Sequence, residues 1–190
     1  MSQTFSNVTK TYLSNFYEIL DQMEEGMTSA ALRDSVSYNF IVQMIPHHQG
    51  AIEMAQNILH YTTFVPLQEV AQGIIQEQNQ SIAAMEAALE HCMACTSSPQ
   101  DLGLYARQFE QVSRQMFCRM AQAKATNDIN ANFIREMIPH HQGAIQMADN
   151  ALRFPLCEEL QPILQSIIRS QSAGIRQMER LLSMLTKGQK

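Results

Sequence analysis

The 190-residue sequence has no tryptophan, only seven glycines and six prolines, and just 16% charged side chains. So thin a supply of Gly and Pro excludes a collagen-like or low-complexity chain, and a hydrophobic content of 45% excludes disorder. Long apolar runs are missing as well. Each is broken by Gln, Glu or His well short of the roughly 20 residues that span a bilayer, so a membrane is not an expected partner. Lys/Arg clusters are absent and the net charge is -5, which removes the basic surface that nucleic-acid binding needs. The opening segment MSQTFSNVTKTYL lacks a basic region followed by an apolar one. The expected location is therefore the cytoplasm, or the periplasm or cell exterior if a leader has been removed. Four cysteines, Cys92, Cys95, Cys118 and Cys157, are too few for a disulfide scaffold and are expected to be thiols. The glycines are isolated, so no phosphate loop exists, and no Ser/His/Asp or Cys/His triad suggests itself. The protein is not expected to be an enzyme.

What is present is a duplication. MIPHHQGAIEMA at Met44 to Ala55 returns as MIPHHQGAIQMA at Met137 to Ala148, 93 positions later and with one exchange. The offset holds without a gap on both sides, pairing Tyr12 with Tyr105, Phe16 with Phe109, Met23 with Met116, Gln78 with Gln171 and Met85 with Met178. The chain thus divides into a first repeat unit, 1–95, and a second, 96–190, with the join near Thr96-Ser97-Ser98-Pro99. The cysteines are not repeated, so any chemistry common to both units falls to His, Met and Gln.

Each unit reads as three helices. Tyr12, Phe16, Ile19, Met23 and Met27 recur at spacings of three and four within a helix from about Thr4 to Ala30, mirrored from about Leu102 to Ala125. A second helix, about Ser35 to His60, carries the stripe Phe40, Met44, Ala51, Ala55 and Ile58; a third, about Leu67 to Cys92, carries Leu67, Ala71, Ile74, Gln78, Ile82, Met85 and Leu89. Strand alternation never persists. The fold class is all-α, two tandem three-helix units in a pseudo-two-fold bundle, with the motif helices near the interface between them. Pro46 and Pro139 interrupt the helical pattern just before each His pair, predicting either a kink or a helix start at the proline.

At 100° per residue, His47 lies between Ala51 and Met54 on the apolar stripe with Met44 one turn before it, and His48 lies at the stripe's edge. Gln78 sits mid-stripe on the third helix, where a buried amide needs a partner, and an imidazole N–H is the expected one. A lone core His is ordinarily a satisfied polar group. Two adjacent ones flanked by Met, and repeated intact, point to metal instead. The candidate ligands are Met44, His47, His48, Met54 and Met85, with Met137, His140, His141, Met147 and Met178. Met27, Met120, Gln78 and Gln171 are supporting candidates, while Met23 reads equally well as packing. Hard cations want carboxylates, and only Glu86 and Glu179 are in register. A di-iron bundle would need Glu-x-x-His, which is absent. Imidazole with thioether suits copper, Cu(I) above all, with zinc left open through the His pairs. The two sites are expected to behave as near equivalents. His91, Cys92 and Cys95 form a candidate auxiliary Cu(I) or Zn site, with two ordinary reduced thiols as the alternative; Cys118 and Cys157 are read as ordinary thiols.

The MIPHHQGAI motif, followed by Met and by the Gln and Met of the third helix, resembles the bacterial family catalogued as domain of unknown function 305. The resemblance covers both units and implies a ferritin-like helical bundle, often duplicated. Some members, of the CopM type, bind copper in the periplasm or cell exterior through Met and His and are implicated in copper resistance. By that resemblance Met44, His47, His48, Met54 and Met85 carry over as ligands, with their mirrors. Two departures stand out. The family usually has an Asp three residues before the aromatic of the motif helix, where this chain has Ser37 and Asn130. Copper-binding members are mostly exported, whereas this chain shows no signal and has added cysteines. The resulting expectation is a copper-sequestering or copper-delivering protein with a metal ion as partner and a homodimer left open. The rivals are a metal-free structural or interaction module and a copper- or iron-dependent redox enzyme.

Overall fold

Short-range chemistry sets the helix ends. The computed structural model describes residues 4–187, and among these it contains six α-helices and no strand. They are α1 (Asn7–Thr28), α2 (Val36–Leu59), α3 (Val65–Ala94), α4 (Pro99–Ala121), α5 (Ile129–Ala151) and α6 (Leu160–Lys187). α1 begins at Asn7 rather than near Thr4 because the Ser6 side chain accepts from the Thr9 N–H, supplying a partner that the first turn lacks. α4 begins at Pro99, ahead of the expected Leu102, because Ser98 caps it through the Asp101 N–H and the proline needs no donor at that position. It stops at Ala121, short of Ala125, where a connector is held by buried Asn132, which bonds both the N–H and the carbonyl of Thr126. Asn39 holds Arg33 in the same way before α2. α2 lies between Ser35 and His60 as expected, and α3 is longer than expected at both ends.

Pro46 and Pro139 lie inside α2 and α5, which run through them. The reading in which proline starts the helix is therefore overturned, since Ser35 and Asp128 supply the caps a turn or more earlier. Each proline still removes the N–H that the carbonyls of Val42 and Arg135 would otherwise meet.

α2 packs between α1 and α3, α5 packs between α4 and α6, and the halves meet through α2 on α5 and α3 on α6. This is an all-α, pseudo-two-fold, ferritin-like bundle with one continuous core. Equivalent buried amides brace both halves: Asn57 donates to the Tyr12 carbonyl and Asn150 to the Tyr105 carbonyl. Two tyrosines also tie the halves together, Tyr12 donating to Glu136 at 2.5 Å and Tyr105 to Gln43 at 3.2 Å.

The cysteine expectation is corrected here. Cys92 and Cys157 are joined in a disulfide, with Cα atoms 5.3 Å apart, while Cys95 and Cys118 are free. Sequence proximity groups Cys92 with Cys95 only as an auxiliary metal site or as two reduced thiols; the disulfide partner of Cys92 comes instead from the α5–α6 connector. No helix among the described residues is long and apolar enough to cross a membrane.

Candidate metal centre

The crossing of α2 on α5 brings both His pairs to the middle of the molecule. His47, His48, His140 and His141 are buried together with Met44 and Met137 on the same stripes. The rings of His47 and His140 stack across the interface, centroids 3.8 Å apart and planes 28° apart, and each has its chain neighbour's ring at 5.8 Å. His140 Nε2 lies 3.1 Å from the His47 carbonyl oxygen, so that nitrogen carries the proton and donates, leaving Nδ1 as a lone pair. His47 Nε2 lies 3.3 Å from the thioether sulfur of Met116, and His48 Nε2 lies 2.9 Å from the Ser81 hydroxyl. The Nδ1 atoms of all four histidines are buried with no hydrogen-bond partner. Four such groups in one cluster are a costly arrangement for a core whose only task is packing.

Burial holds the imidazoles neutral. It pushes His48 down to about 3 and His140 to about 4, and it lowers His47 and His141 far below the ordinary imidazole value, with the neighbouring rings adding to the effect. Neutral imidazole is the form that ligates metal.

The glycine of the motif positions a thioether. A Cβ on Gly143 would lie 2.4 Å from the Met116 sulfur, and one on Gly50 would lie 2.6 Å from the Met23 sulfur. Without a side chain at these positions, α1 and α4 can lay methionine flat across the motif helices beside the histidines. The Met23 and Met116 register pair was the signal for this. Spacing alone did not separate contact with histidine from ordinary packing.

All ten proposed ligands lie in the core, as do Met27 and Met120. The four histidines are brought together, and the thioether found against an imidazole is that of Met116, which was outside the candidate set. The expected bond between Gln78 and an imidazole is not formed. Gln78 and Gln171 are buried as their spacing required, but the Oε1 atom of each is without a partner. Ser81 occupies His48 instead. In the second half the position equivalent to Ser81 is Gly174, where a Cβ would sit 3.0 Å from His141 Nε2, so the two halves are chemically unequal. His91 and Cys92 also come together, but with Cys157 and Glu159, while the Cys95 thiol contacts the His91 carbonyl oxygen.

Two further features went unseen in the sequence. Glu136 is buried at 4% exposure, and burial pushes its carboxyl up to about 7 against the opposing Tyr12 hydrogen bond. It has no acidic register mate, Gln43 standing at the equivalent position. Between α3 and α6 a cavity of about 360 Å³ runs in from Glu77 and Gln80 past Ser81 and Ser170 to His48 and Gln171. Its lining includes His48, one of the four clustered histidines.

Residues 18–89 and 37–182 match the family model of the Domain of unknown function (DUF305). No curated protein matches the chain. Among solved structures, a DUF305 fragment from Deinococcus radiodurans is 25% identical, with a TM-score of 0.58 over 82% of this chain and 98% of that one. CopM in its Cu(II)-bound form is 32% identical, with a TM-score of 0.58 over 78% of this chain and 97% of CopM. CopM in its Cu(I)-bound form is 29% identical, with a TM-score of 0.57 over 78% and 96%.

Proposed function

The chain belongs to the DUF305 family, and from that membership together with its buried histidine quartet we propose that it is a copper-binding protein that takes Cu(I) in preference. Its task on this reading is to hold or pass on the ion in copper tolerance, without turning over a substrate. The observation that carries the reading is the set of four buried, unpartnered Nδ1 atoms on neutral imidazoles, with the Met116 thioether against one ring. Similarity to CopM, whose Cu(I)- and Cu(II)-bound forms are known, supports it.

The donor set suits the monovalent ion. The imidazole and thioether donors are all neutral and buried, so a cation bound by them keeps its whole charge in a low-dielectric core. The Born cost of that grows with the square of the charge and weighs against Cu(II) and Zn(II). Thioether sulfur adds to the preference for soft Cu(I). His47 and His140 would supply imidazole nitrogen at the interface and Met116 a sulfur; Met44, Met54 and Met85 with Met137, Met147 and Met178 line the same core as further thioethers. Ser81 and the His47 carbonyl orient their rings. The α3–α6 cavity serves as the approach from solvent to His48.

The expectation of two independent sites gives way to one shared centre on this reading, because Met116 of the second half meets His47 of the first. Anaerobic Cu(I) titration against a chromophoric chelator tests it. Retention of Cu(I) by the protein at micromolar chelator-buffered concentrations is expected, with His47→Ala and His140→Ala each weakening the whole centre. Replacing Met44 or Met54 with Leu keeps volume and should cost less than about 1.5 kcal/mol in stability while weakening Cu(I) more than Zn(II). Absence of competition would sink the copper reading. Unchanged Cu(I) affinity across the Met-to-Leu series would return those methionines to the core.

A further inference from the structure

A second group of metal-ligating side chains lies away from the histidine quartet, at the end of α3. The sulfurs of Cys92 and Cys157 and a carboxylate oxygen of Glu159 all lie within 4.8 Å of one another. His91 Nε2 is 3.4 Å from Glu159 Oε2, and both of these side chains are substantially exposed, at 61% and 44%. The cysteines are buried beneath them. Two sulfurs and a carboxylate therefore converge from two separate parts of the chain, with the His91 imidazole flanking the carboxylate.

The backbone under this group is held independently of the sulfur–sulfur bond. The Ser35 hydroxyl donates to the Cys92 carbonyl at 2.8 Å, and the Cys157 N–H donates to the Ser37 hydroxyl at 2.9 Å. Both serines belong to the first turn of α2 or its cap. Breaking the disulfide thus leaves the two cysteine positions clamped to one helix end, with their sulfurs still facing each other.

We propose that the reduced protein binds Zn(II) here through Cys92, Cys157, Glu159 and His91, so that the disulfide and the zinc site are two states of one cluster. Donor atoms around a tetrahedral zinc, with bonds of about 2.0 to 2.3 Å, stand roughly 3.3 to 3.8 Å apart; reduction lets the two sulfurs part to that spacing, Glu159 is already within 4.8 Å of both, and the exposed His91 side chain swings in beside it. The carboxylate selects zinc over Cu(I), for which oxygen is a poor donor. This separates the cluster from the neutral His and Met centre, and the inference does not depend on the copper reading. The chemistry balances. A dithiol or phosphine reductant delivers two electrons, the Cys92–Cys157 bond breaks, and two protons are taken up to give two thiols. Zn(II) then displaces both protons as it binds the two thiolates. Two-electron oxidation by a small-molecule disulfide, itself reduced to two thiols as it takes up two protons, reverses the sequence, remaking the Cys92–Cys157 bond and releasing zinc. In a reducing compartment the cluster is a metal site; in an oxidising one it is a cross-link.

The test uses the full chain with Cys95 and Cys118 replaced by Ser, reduced with a phosphine and kept anaerobic. Co(II) titration should give one equivalent of tetrahedral visible bands with a thiolate-to-cobalt charge-transfer band, abolished by Zn(II) and missing from the oxidised protein. Cys157→Ser should weaken the charge-transfer band and cut Zn(II) affinity. Because that residue is buried, Glu159→Gln provides an exposed counterpart, expected to keep the thiolate band and the helical circular dichroism while lowering Zn(II) affinity at least about tenfold. Glu53→Gln, an exposed carboxylate on α2 outside both clusters, should leave all of these readings unchanged. No charge-transfer band in the reduced chain overturns the proposal, as does a band insensitive to Cys157→Ser or a Zn(II) affinity insensitive to Glu159→Gln.

Discussion

Gly143 lets the role of the motif glycine be measured. Alanine at an open helix-interior position stabilises by about 1 kcal/mol relative to glycine, because it restricts the unfolded chain. Gly73 in α3 is such a position, with nothing within 4 Å of where an alanine methyl group would stand, so Gly73→Ala should raise stability by up to about 1 kcal/mol. At Gly143 the same methyl would lie 2.4 Å from the Met116 sulfur, 2.7 Å from its Cγ and 3.0 Å from its Cβ. Ordinary contact is about 3.5 to 4.0 Å, so an ångström or more must be found by moving a buried side chain along most of its length. Overpacking of this kind costs about 1 to 3 kcal/mol and outweighs the helical gain, leaving Gly143→Ala neutral to about 2 kcal/mol less stable than wild type. Urea unfolding of the metal-free protein reads this difference directly, with Gly73→Ala as internal reference. The displaced sulfur also leaves His47 Nε2, now 3.3 Å away, so Cu(I) affinity should fall in Gly143→Ala and hold in Gly73→Ala. Equal stabilisation by the two alanines would refute the close approach and the explanation of the motif glycine with it.

Glu136 is raised from an ordinary 4.5 to about 7, equivalent to about 3 kcal/mol at most. Between those values the folded protein keeps a proton that the unfolded chain has released, so this group lowers stability as pH climbs from about 4.5 to about 7. Glu136→Gln, which copies Gln43, should therefore be more stable than wild type at pH 8 and nearly equal to it at pH 5 by urea unfolding; a pH-independent difference would disprove the assignment. The depressed histidines act in the opposite sense: below about 6.5 the unfolded chain binds protons that the folded core refuses, so stability should drop steeply on acidification, and His48→Gln should lessen the slope. Gly174→Ser places a Cβ 3.0 Å from His141 and should cost about 1 to 3 kcal/mol. Ser81→Ala strips only the hydroxyl partner from His48 and should cost no more than about 1 kcal/mol; a cost for Ser81→Ala equal to that of Gly174→Ser would argue against the inequality of the halves. Reducing the disulfide, which closes a 65-residue separation, should lower stability by up to about 4 kcal/mol in the chain-entropy treatment, read as the shift in urea midpoint with and without reductant.

Helix number, the buried stripes and the convergence of the His pairs were legible because they depend on period, and a period of 3.6 places Tyr12, Phe16, Met23 and Met27 on one face whatever that face meets. What the face meets is another matter. Gln78 was correctly placed inside, yet its amide does not find the imidazole, since Ser81, one turn further along α3, reaches His48 first. Cys92 was grouped with His91 and Cys95 as a candidate metal site by proximity in sequence, whereas the fold carries Cys157 of the α5–α6 connector to it. Glu136 escaped notice because register comparison is blind to a residue that only one copy contains, and burial with a hydroxyl partner from the other half is what makes it unusual.

The contacts at the centre bear on why the duplication was retained in one chain. Met116 reaches His47, His140 donates to the His47 carbonyl, Tyr12 crosses to Glu136 and Tyr105 to Gln43. Each of these joins one half to the other, so a single half would expose its stripe and, on the copper reading, lack part of the proposed centre. Two identical copies would satisfy that need symmetrically. Covalent tandem fusion adds the freedom to differ: Gly174 stands against Ser81 beside the histidines, Glu136 against Gln43 where tyrosines cross between the halves, and the cysteines have no mirrors. Position 81 or 174 sets whether an imidazole nitrogen meets a hydroxyl or is packed against bare backbone, so on the copper reading the two rings are unequal donors to one pocket. A centre with unequal imidazoles can hold an ion through one while exchanging ligands at the other. A strictly symmetric dimer could not assign those two tasks to separate residues.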